Sequence, residues 1–256
     1  MEKITDYKLV LDTAVLAGQI MLQNGAEIHR VEDTIYRILK VSNLKTAEAY
    51  VTPTGLIVTL DDPGVDSMTV VKRIETRGTN LSKIAEVNSI SRQFCSGSIS
   101  LKEAFHRLKY MKLNSYAAWQ KYVSQVLVAA SFAILLGGSF RDAVGAGVAG
   151  ICMGTVMFFC RKIDLNNFLQ LLLDATVISL TAFAASHISW FHARMDIVII
   201  GGIMPIVPGA ALTTAVRDTL QGNYVAGGAK ALEAFVSAAA IAAGVALGML
   251  LTGGVG

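Results

Sequence analysis

The first part of the chain spaces its apolar and polar residues as a water-soluble domain does. Apolar residues recur at helical spacing over residues 4–24 and 27–41, which predicts two packed helices. Short β-branched runs over residues 47–74, interrupted by prolines and glycines, predict three strands. Helical spacing returns over residues 80–94 and 100–111 and predicts a second pair of helices. The expected apolar face of the first helix in that pair is formed by Leu81, Ile84 and Val87.

The second part of the chain consists of long apolar runs that a lipid bilayer would bury. Few charges interrupt these runs, so they predict about five transmembrane helices. Small residues at every fourth position of the second and fifth helices predict close helix packing without any chemistry. The five predicted helices cover residues 123–136, 143–160, 168–188, 197–216 and 231–252.

Charge separates the same two parts. Up to Lys121 the chain has 16 Lys and Arg and 13 Asp and Glu, whereas from Tyr122 onward it has 6 and 6. Over the whole chain 53% of the residues are hydrophobic and 16% are charged, which is unusual for a soluble domain. The sequence therefore predicts a mixed α/β N-terminal domain over residues 1–115 and a transmembrane helical domain over residues 116–256.

The connecting loops predict the orientation of the chain in the membrane. The second and fourth loops between predicted transmembrane helices hold two basic residues each, against one each in the first and third. The apolar stretch near the N-terminus does not resemble a cleavable secretory signal, so the first domain is expected to stay in the cytoplasm. The positive-inside rule then predicts a cytoplasmic N-terminus and, after five crossings, an extracytoplasmic C-terminus.

The fourth predicted transmembrane helix is expected to be irregular. Three glycines and two prolines fall within nine residues, among them Pro205, Pro208 and Gly209. Each proline removes a backbone donor, so such a segment must be buried in protein or line a wet cavity. Broken helices of this kind form substrate sites in many transporters, and the alternative is a kinked helix that only packs. Hydroxyls and charges at the mouth of a pathway would come from Thr213, Thr214, Arg217 and Asp218.

Asp174 is the second candidate for chemistry inside the membrane. It lies about seven residues into the third predicted helix, near the middle third of the bilayer, with no basic residue at that depth. A carboxylate there costs on the order of 2.5 to 3.5 kcal/mol. Asp174 is therefore predicted to carry a proton or contact substrate. The alternative is a neutral aspartic acid hydrogen-bonded to Thr176, Thr181 or another helix.

A charged motif opens the second predicted helix of the soluble domain. Glu27, Arg30, Glu32 and Asp33 lie within two helical turns, and the first two can pair at a spacing of three residues. A solvated or interdomain ion pair is the predicted role, and a gating contact with the membrane part is the alternative. No nucleophile, metal cluster or phosphate-binding loop accompanies the motif, so no catalytic role is expected.

Other classes of function have little support. The net charge of +3 is too weak to predict nucleic-acid binding. His187 and His192 have poor spacing for metal ligands on a helix, so no enzyme is expected. A membrane-anchored sensor or scaffold is the remaining alternative to a transporter, although it would need neither broken helices nor buried charge. No disulfide, metal site or cofactor is predicted from the spacing of Cys95, Cys152 and Cys160.

Three segments resemble the threonine/serine exporter family. MPIVPGAALTTAVRDTLQGNYVAGGAKALEA, which begins at Met204, is similar to the proline-glycine motif of that family. The similarity includes an acidic residue at Asp218 and an acidic-alanine pair at Glu233 that opens the last helix. GAEIHRVEDTIYRI, from Gly25, and RGTNLSKIAEVNSISRQ, from Arg77, resemble the N-terminal domain of the same family. The resemblance covers nearly the whole chain.

The resemblance implies a secondary transporter of the bacterial inner membrane. Its expected substrate is threonine and serine or, in a two-component branch, a dicarboxylate such as succinate, with export driven by the proton gradient. Longer members of the family have more membrane helices, which implies a split form completed by a second small membrane subunit. A homo-oligomer is a further expectation. The predicted substrate and ion pathway contains Asp174, Pro205, Pro208, Gly209, Thr213, Thr214, Arg217, Asp218 and Glu233.

Overall fold

The computed structural model describes residues 6–75, 78–111 and 117–253, and the chain divides into two compact units. The first, called here the N-terminal unit, comprises Met1–Asn114 and Thr213–Lys230. The second, the bundle unit, comprises Ser115–Leu212 and Ala231–Gly256. The predicted domain boundary at residues 115 and 116 lies outside the described residues, so a division there stays a prediction. Arg77, which begins the third family-like segment, also lies outside the described residues.

Two helices begin the N-terminal unit. Helix α1, Tyr7–Gln23, is capped by Asp6, whose carboxylate accepts a hydrogen bond from a first-turn N–H at 2.9 Å. Gly25 has a φ of +84°, which only glycine adopts readily, and it makes the tight turn into α2. Helix α2, Ile28–Leu39, runs into a short 3-10 helix, Lys40–Ser42. The apolar residues of both helices share faces at spacings of three and four and form the core of this unit.

Three antiparallel strands follow, paired in the order β1, β2, β3. Their bounds are β1 Thr46–Thr52, β2 Gly55–Asp62 and β3 Val65–Arg73. Successive side chains of a strand point to opposite faces, so the central strand buries every second residue. The buried residues of β2 are Leu56, Val58 and Leu60, each at most 1% exposed. The sheet therefore contributes one apolar face to the core of the N-terminal unit.

A second pair of helices continues the N-terminal unit. Helix α3, Leu81–Cys95, and helix α4, Leu101–Lys109, are capped by Asn80 and Ser100, whose side chains accept backbone hydrogen bonds. The predicted placement of Leu81 in the apolar face of α3 is wrong, because Leu81 is 72% exposed. It is the first residue of the helix, and the buried face begins one turn later with Ile84, Val87 and Ile90.

The remaining described helices follow the predicted order with shifted boundaries. Their bounds are α5 Ala118–Leu135, α6 Phe140–Lys162, α7 Asn167–His187, α8 Met195–Ile203, α9 Gly209–Leu220 and α10 Tyr224–Leu251. A 3-10 helix, Met204–Ile206, lies between α8 and α9. The predicted start of the last helix at Ala231 is wrong, because α10 begins at Tyr224. Two glycines in its first turns cost only about 1 kcal/mol each in a helix, so they do not prevent it from starting early.

Within the described residues, three helices are long and apolar enough to cross a membrane, and a bent pair can supply a fourth crossing. The three are α6, α7 and α10, and the bent pair is formed by α8 with its 3-10 extension and α9. Helix α5 does not belong to this set, because Gln120, Lys121 and Gln125 make its first half polar. The described part of the chain is thus mostly helical with three to four apolar spans, and the fifth crossing stays a prediction.

The predicted close packing of small residues occurs in the bundle unit. A Cβ atom built on Gly150 of α6 would lie 3.3 Å from the carbonyl oxygen of Gln125 in α5. A Cβ atom on Gly248 of α10 would lie 2.9 Å from the carbonyl oxygen of Thr176 in α7. The missing side chains therefore let these pairs of helices approach backbone to backbone.

Candidate functional site

The irregular segment predicted in the fourth transmembrane helix is confirmed as a break between α8 and α9. Helix α8 ends at Ile203, the 3-10 helix follows, and α9 begins at Gly209. The axes of the two arms differ by 57°. Val207 between them is extended, with φ −62° and ψ 131°, which is the conformation that a residue before proline favours. Pro208 therefore fixes where the helix breaks.

Glycines bring the end of α8 close to the neighbouring helices. A Cβ atom on Gly201 would lie 2.9 Å from the carbonyl oxygen of Ala129 in α5, and one on Gly202 would lie 2.7 Å from Ile178 in α7. An apolar cluster joins the end of α8 and the 3-10 helix to α7 and α10, and it contains Leu171, Ala175, Ile203, Ile206, Ala240 and Ile241. The break consequently lies beside the segment of α7 that contains Asp174.

Asp174 is completely buried in the bundle unit, with 0% of its surface exposed. Neither of its carboxylate oxygens has a hydrogen-bond partner among the described residues. The two threonines that could hold it bind elsewhere. Thr176 donates to backbone carbonyls of α7 and α10 at 2.7 and 3.1 Å, and Thr181 donates to a carbonyl of α7 at 2.8 Å. Neither threonine therefore satisfies the carboxyl group of Asp174.

The surroundings of Asp174 offer little compensation for its charge. Its polar neighbours are Gln170, one turn earlier on α7, and Cys160 and Arg161 at the end of α6, and these are close enough to interact electrostatically with the carboxyl group. Arg161 is exposed and donates to the sulfur of Met157 at 3.3 Å. Among the described ion pairs none includes Asp174. The carboxyl group thus keeps unmet hydrogen-bonding capacity, which a proton or an external donor can satisfy.

The segment Thr213–Lys230 packs within the N-terminal unit through polar and apolar contacts. The guanidinium of Arg217 forms an ion pair with the carboxylate of Glu27, whose side chain is 12% exposed. The amide of Gln221 lies 3.5 Å from the ring of His29, and Ala226 is buried in the core of the unit. The predicted pairing of Glu27 with Arg30 is wrong, because the carboxylate turns to Arg217 instead.

The other acidic residues of the same motif also have structural partners. The carboxylate of Glu32 accepts a hydrogen bond from the backbone N–H of Val51 in β1 at 3.2 Å. Burial raises the pKa of Glu32 above its usual value, and the Val51 hydrogen bond partly opposes that effect. Asp33 pairs with Arg37 one turn later at 2.6 Å. The motif therefore organises α2 and its contacts, which agrees with a non-catalytic role.

Arg217 and Asp218 do not pair with each other. The carboxylate of Asp218 is 0% exposed and binds the ammonium of Lys230 at 2.7 Å, so it joins the end of α9 to the start of α10. Gly222, with a φ of +85°, makes the turn between these helices. The second oxygen of Asp218 has no hydrogen-bond partner among the described residues. Removing one partner of a buried pair such as this one typically costs about 3 to 5 kcal/mol.

The predicted pathway residues are distributed over both units. Asp174, Pro205, Pro208, Gly209 and Glu233 belong to the bundle unit. The N-terminal unit contains Thr213, Thr214, Arg217 and Asp218. Thr213 and Glu233 are exposed, and Thr214 is half-buried. Their joint role in a pathway stays a prediction.

Sequence reasoning missed Asp142, which organises one end of the bundle unit. Its carboxylate accepts hydrogen bonds from the backbone N–H and hydroxyl of Ser139 at 2.6 and 2.8 Å and from the backbone N–H of Arg194 at 2.6 Å. Asp142 therefore forms a capping box with Ser139, the N-cap residue of α6, and connects the first turn of α6 to the start of α8. The spacing Ser139-x-x-Asp142 is that of a capping box, and this signal could have identified the pair.

The structure presents no metal centre in the residues that it describes. No group of three or more His, Cys, Asp or Glu side chains there lies close enough to hold a metal ion. Cys95, Cys152 and Cys160 are free thiols. The candidate functional groups among the described residues are therefore buried charged side chains and the backbone groups at the helix break.

Comparison with known proteins places these features in a family of membrane exporters. The model of the ThrE threonine/serine exporter family matches residues 12–252. A "Probable threonine/serine exporter" of Mycobacterium tuberculosis is 24% identical over 249 residues, which cover 95% of this chain and 45% of that protein. No solved structure matches the chain significantly.

Shorter relatives match over almost their full length. A "Probable succinate transporter subunit YjjP" of Klebsiella aerogenes is 23% identical over 256 residues, covering 97% of this chain and 96% of that protein. The protein of that name in Escherichia coli is 23% identical over 253 residues, with 96% of each chain covered. The chain thus spans about half the length of the M. tuberculosis exporter and nearly all of either YjjP protein. With a family match over nearly its whole length, the chain belongs to the threonine/serine exporter family, whose members are multi-pass membrane transporters and not enzymes.

Proposed function

We propose that the chain is one subunit of a two-component secondary exporter of a small polar metabolite. The substrate is threonine and serine, as the name of the longer relative states, or a dicarboxylate such as succinate, as the names of the YjjP proteins state. The observation that carries the proposal is the buried, unpartnered carboxyl group of Asp174 beside the break between α8 and α9. Family membership favours transport over a membrane-anchored sensor or scaffold.

Asp174 is proposed to couple export to the proton gradient. Burying a carboxylate without a cation or hydrogen-bond donors is costly, both in a protein interior and in a bilayer. The group is therefore stable when it holds a proton or when a donor from the substrate or a second subunit reaches it. Alternation between these two states would link proton movement to substrate movement. Its position beside the broken helix supports this role, because freed backbone groups of such helices bind substrates in other transporters.

The N-terminal unit is proposed to lie in the cytoplasm and to act on the end of α9. Helix α9 begins in the bundle unit and ends in the N-terminal unit, where Glu27 holds Arg217 and Asp218 holds Lys230. These ion pairs hold the end of α9 within the N-terminal unit, so α9 itself connects that unit to the break. The contacts support a gating role for the N-terminal unit.

The first test is transport by the chain with and without a second small membrane subunit. Purified protein in vesicles should export labelled substrate against its gradient only when both subunits are present and a pH gradient is imposed. Threonine, serine and succinate are offered separately, so the substrate that moves identifies the class. The YjjP relatives support the partner, since they are named as subunits and match along 96% of their length.

Two outcomes of this experiment would contradict the proposal in different ways. Full export by the chain alone would exclude the need for a second subunit. No movement of any of the three substrates with both subunits present would exclude the proposed substrates.

The proposed orientation predicts the behaviour of reporter fusions. A reporter after Gly256 should be extracytoplasmic, one in the loop at Asp164 should be cytoplasmic, and one at Gly137 should be extracytoplasmic if α5 crosses the membrane. Alkaline phosphatase and fluorescent-protein fusions at each position provide the measurement, because each is active on one side only. A cytoplasmic C-terminal reporter would mean four crossings and would reject the crossing by α5.

A further inference from the structure

A cleft of about 90 Å³ lies between α2 and α3 in the N-terminal unit, and the proposed transport does not use it. Its floor is polar although it is buried, since Thr34 is 5% exposed and Ser91 is 4% exposed. The hydroxyl of Thr34 donates to the backbone carbonyl of Arg30 at 2.8 Å, and its oxygen lies 3.4 Å from the amide oxygen of Asn88. The amide N–H groups of Asn88 remain as donors. Apolar side chains normally occupy such positions between two packed helices, so packing alone does not account for this floor.

Three arginines line the same cleft. Arg30 and Arg37 come from α2, and Arg92 comes from α3. The carboxylate of Asp33 lies 2.6 Å from the guanidinium of Arg37 and forms an ion pair with it. Arg30 and Arg92 form no ion pair with any residue that the structure describes. Three guanidinium groups against one carboxylate leave the cleft with a charge of +2. Two guanidinium groups on facing helices are therefore available to a ligand.

We propose that this cleft binds a compact dianion with oxygen acceptors, the chemistry shared by inorganic phosphate and short dicarboxylates. A guanidinium fork matches carboxylate or phosphate oxygens with two parallel hydrogen bonds, and Arg30 and Arg92 each supply one fork. The amide of Asn88 supplies a neutral donor at the floor, next to the buried side chain of Ser91. The cleft is well below the roughly 300 to 1,000 Å³ of pockets for drug-sized ligands, so it suits an anion of a few atoms.

The position of the cleft gives a bound anion access to the contact with α9. Arg30 lies three residues after Glu27, the N-cap residue of α2, and Glu27 forms the ion pair with Arg217. An anion on Arg30 also lowers the positive potential near that ion pair. The site therefore lies where a cytosolic anion can influence the end of the broken helix.

The test is titration of the full-length chain in detergent with phosphate and, separately, with succinate. Isothermal calorimetry at low ionic strength should show saturable binding of at least one anion, and matched additions of chloride should not reproduce it. Added salt should weaken the binding, because the arginines are exposed. Binding of phosphate alone or of succinate alone identifies the source of the dianion. Hydrogen exchange should slow in residues 30–37 and 88–92 when the anion is present.

Substitutions of the cleft arginines test whether the cleft is the site at which the anion binds. Arg30→Gln combined with Arg92→Gln should weaken binding at least about tenfold, or about 1.4 kcal/mol, because both charge-assisted guanidinium contacts to the anion are lost. Arg107→Gln is the matched control, since Arg107 pairs with Glu103 outside the cleft and its loss should leave affinity unchanged. If the double variant is unstable, Arg92→Lys provides a milder one with the same expected direction. Absence of saturable binding of either anion, or equal loss in the Arg107 variant, would overturn the proposal.

Discussion

Replacing Asp174 by Asn is expected to abolish export driven by a pH gradient while the protein stays inserted in the membrane. Asparagine keeps the shape of the side chain and its hydrogen-bonding capacity but cannot take up or release a proton. No described ion pair is lost, and the asparagine oxygen can still accept a hydrogen bond from the neighbouring Gln170, so assembly should be unaffected. The measurement is uphill export from vesicles that contain both subunits when only a pH gradient is imposed.

A matched substitution separates this effect from a general loss of negative charge. Asp196 lies in the first turn of α8, its side chain is 63% exposed, and it pairs with Arg194. Asp196→Asn should therefore keep coupled export close to that of the unmodified protein. Asp174→Asn vesicles should still exchange substrate down its gradient if the carboxyl group carries only the proton. Uphill export by Asp174→Asn at the normal rate would exclude Asp174 as the proton carrier.

The break and the buried acid were predictable because each violates a local rule. Prolines inside an apolar run cannot continue a regular helix, so Pro205 and Pro208 predict an interruption from the sequence alone. An aspartate inside such a run must be buried or paired, and the run around Asp174 contains no cation. Neither rule gives the 57° bend or the absence of hydrogen bonds to Asp174, because those depend on the packing of neighbouring helices.

Partners that are distant in sequence were not predictable. Glu27 and Arg217 are separated by 190 positions, and periodicity shows which face a residue occupies but not what faces it. Arg30 lies three residues after Glu27, and the sequence therefore predicted an ion pair between these two residues. The same limit applies to Thr213–Lys230, which was predicted to be the end of the fourth transmembrane helix and the loop after it. This segment packs in the N-terminal unit.

Boundary errors have a different origin. The start of α10 was predicted from hydropathy, which follows apolar character and not the ability to form a helix. Residues 224–230 include two glycines and a lysine, which lower the hydropathy but can still be helical, so the helix begins before the apolar run. Leu81 was predicted to be buried because its spacing matches the apolar face of α3. It is the first residue of the helix, and the packing contacts of that face begin one turn later.

Replacing Pro208 and Gly209 together by Ala is expected to let α8 and α9 propagate into each other and to abolish export. In a continuous helix, residue 208 donates its N–H to the carbonyl of Met204, which a proline cannot do. Proline also holds Val207 in an extended conformation, and alanine removes that restriction. No described atom lies within 4 Å of a Cβ atom built on Gly209, so the double variant introduces no clash there. The loss would therefore come from closing the break.

Spin labels at Ile200 and Leu212, which are 38% and 55% exposed, measure the straightening directly. In the double variant their separation should approach about 18 Å, the length of twelve residues at about 1.5 Å each in a continuous helix, with a residual kink at Pro205. Pro63→Ala, in the turn between β2 and β3, is the matched proline control and should leave both the distance and export unchanged. A straightened double variant with normal export would show that the break serves packing alone, because the backbone groups proposed to meet the substrate would by then be hydrogen-bonded within the helix.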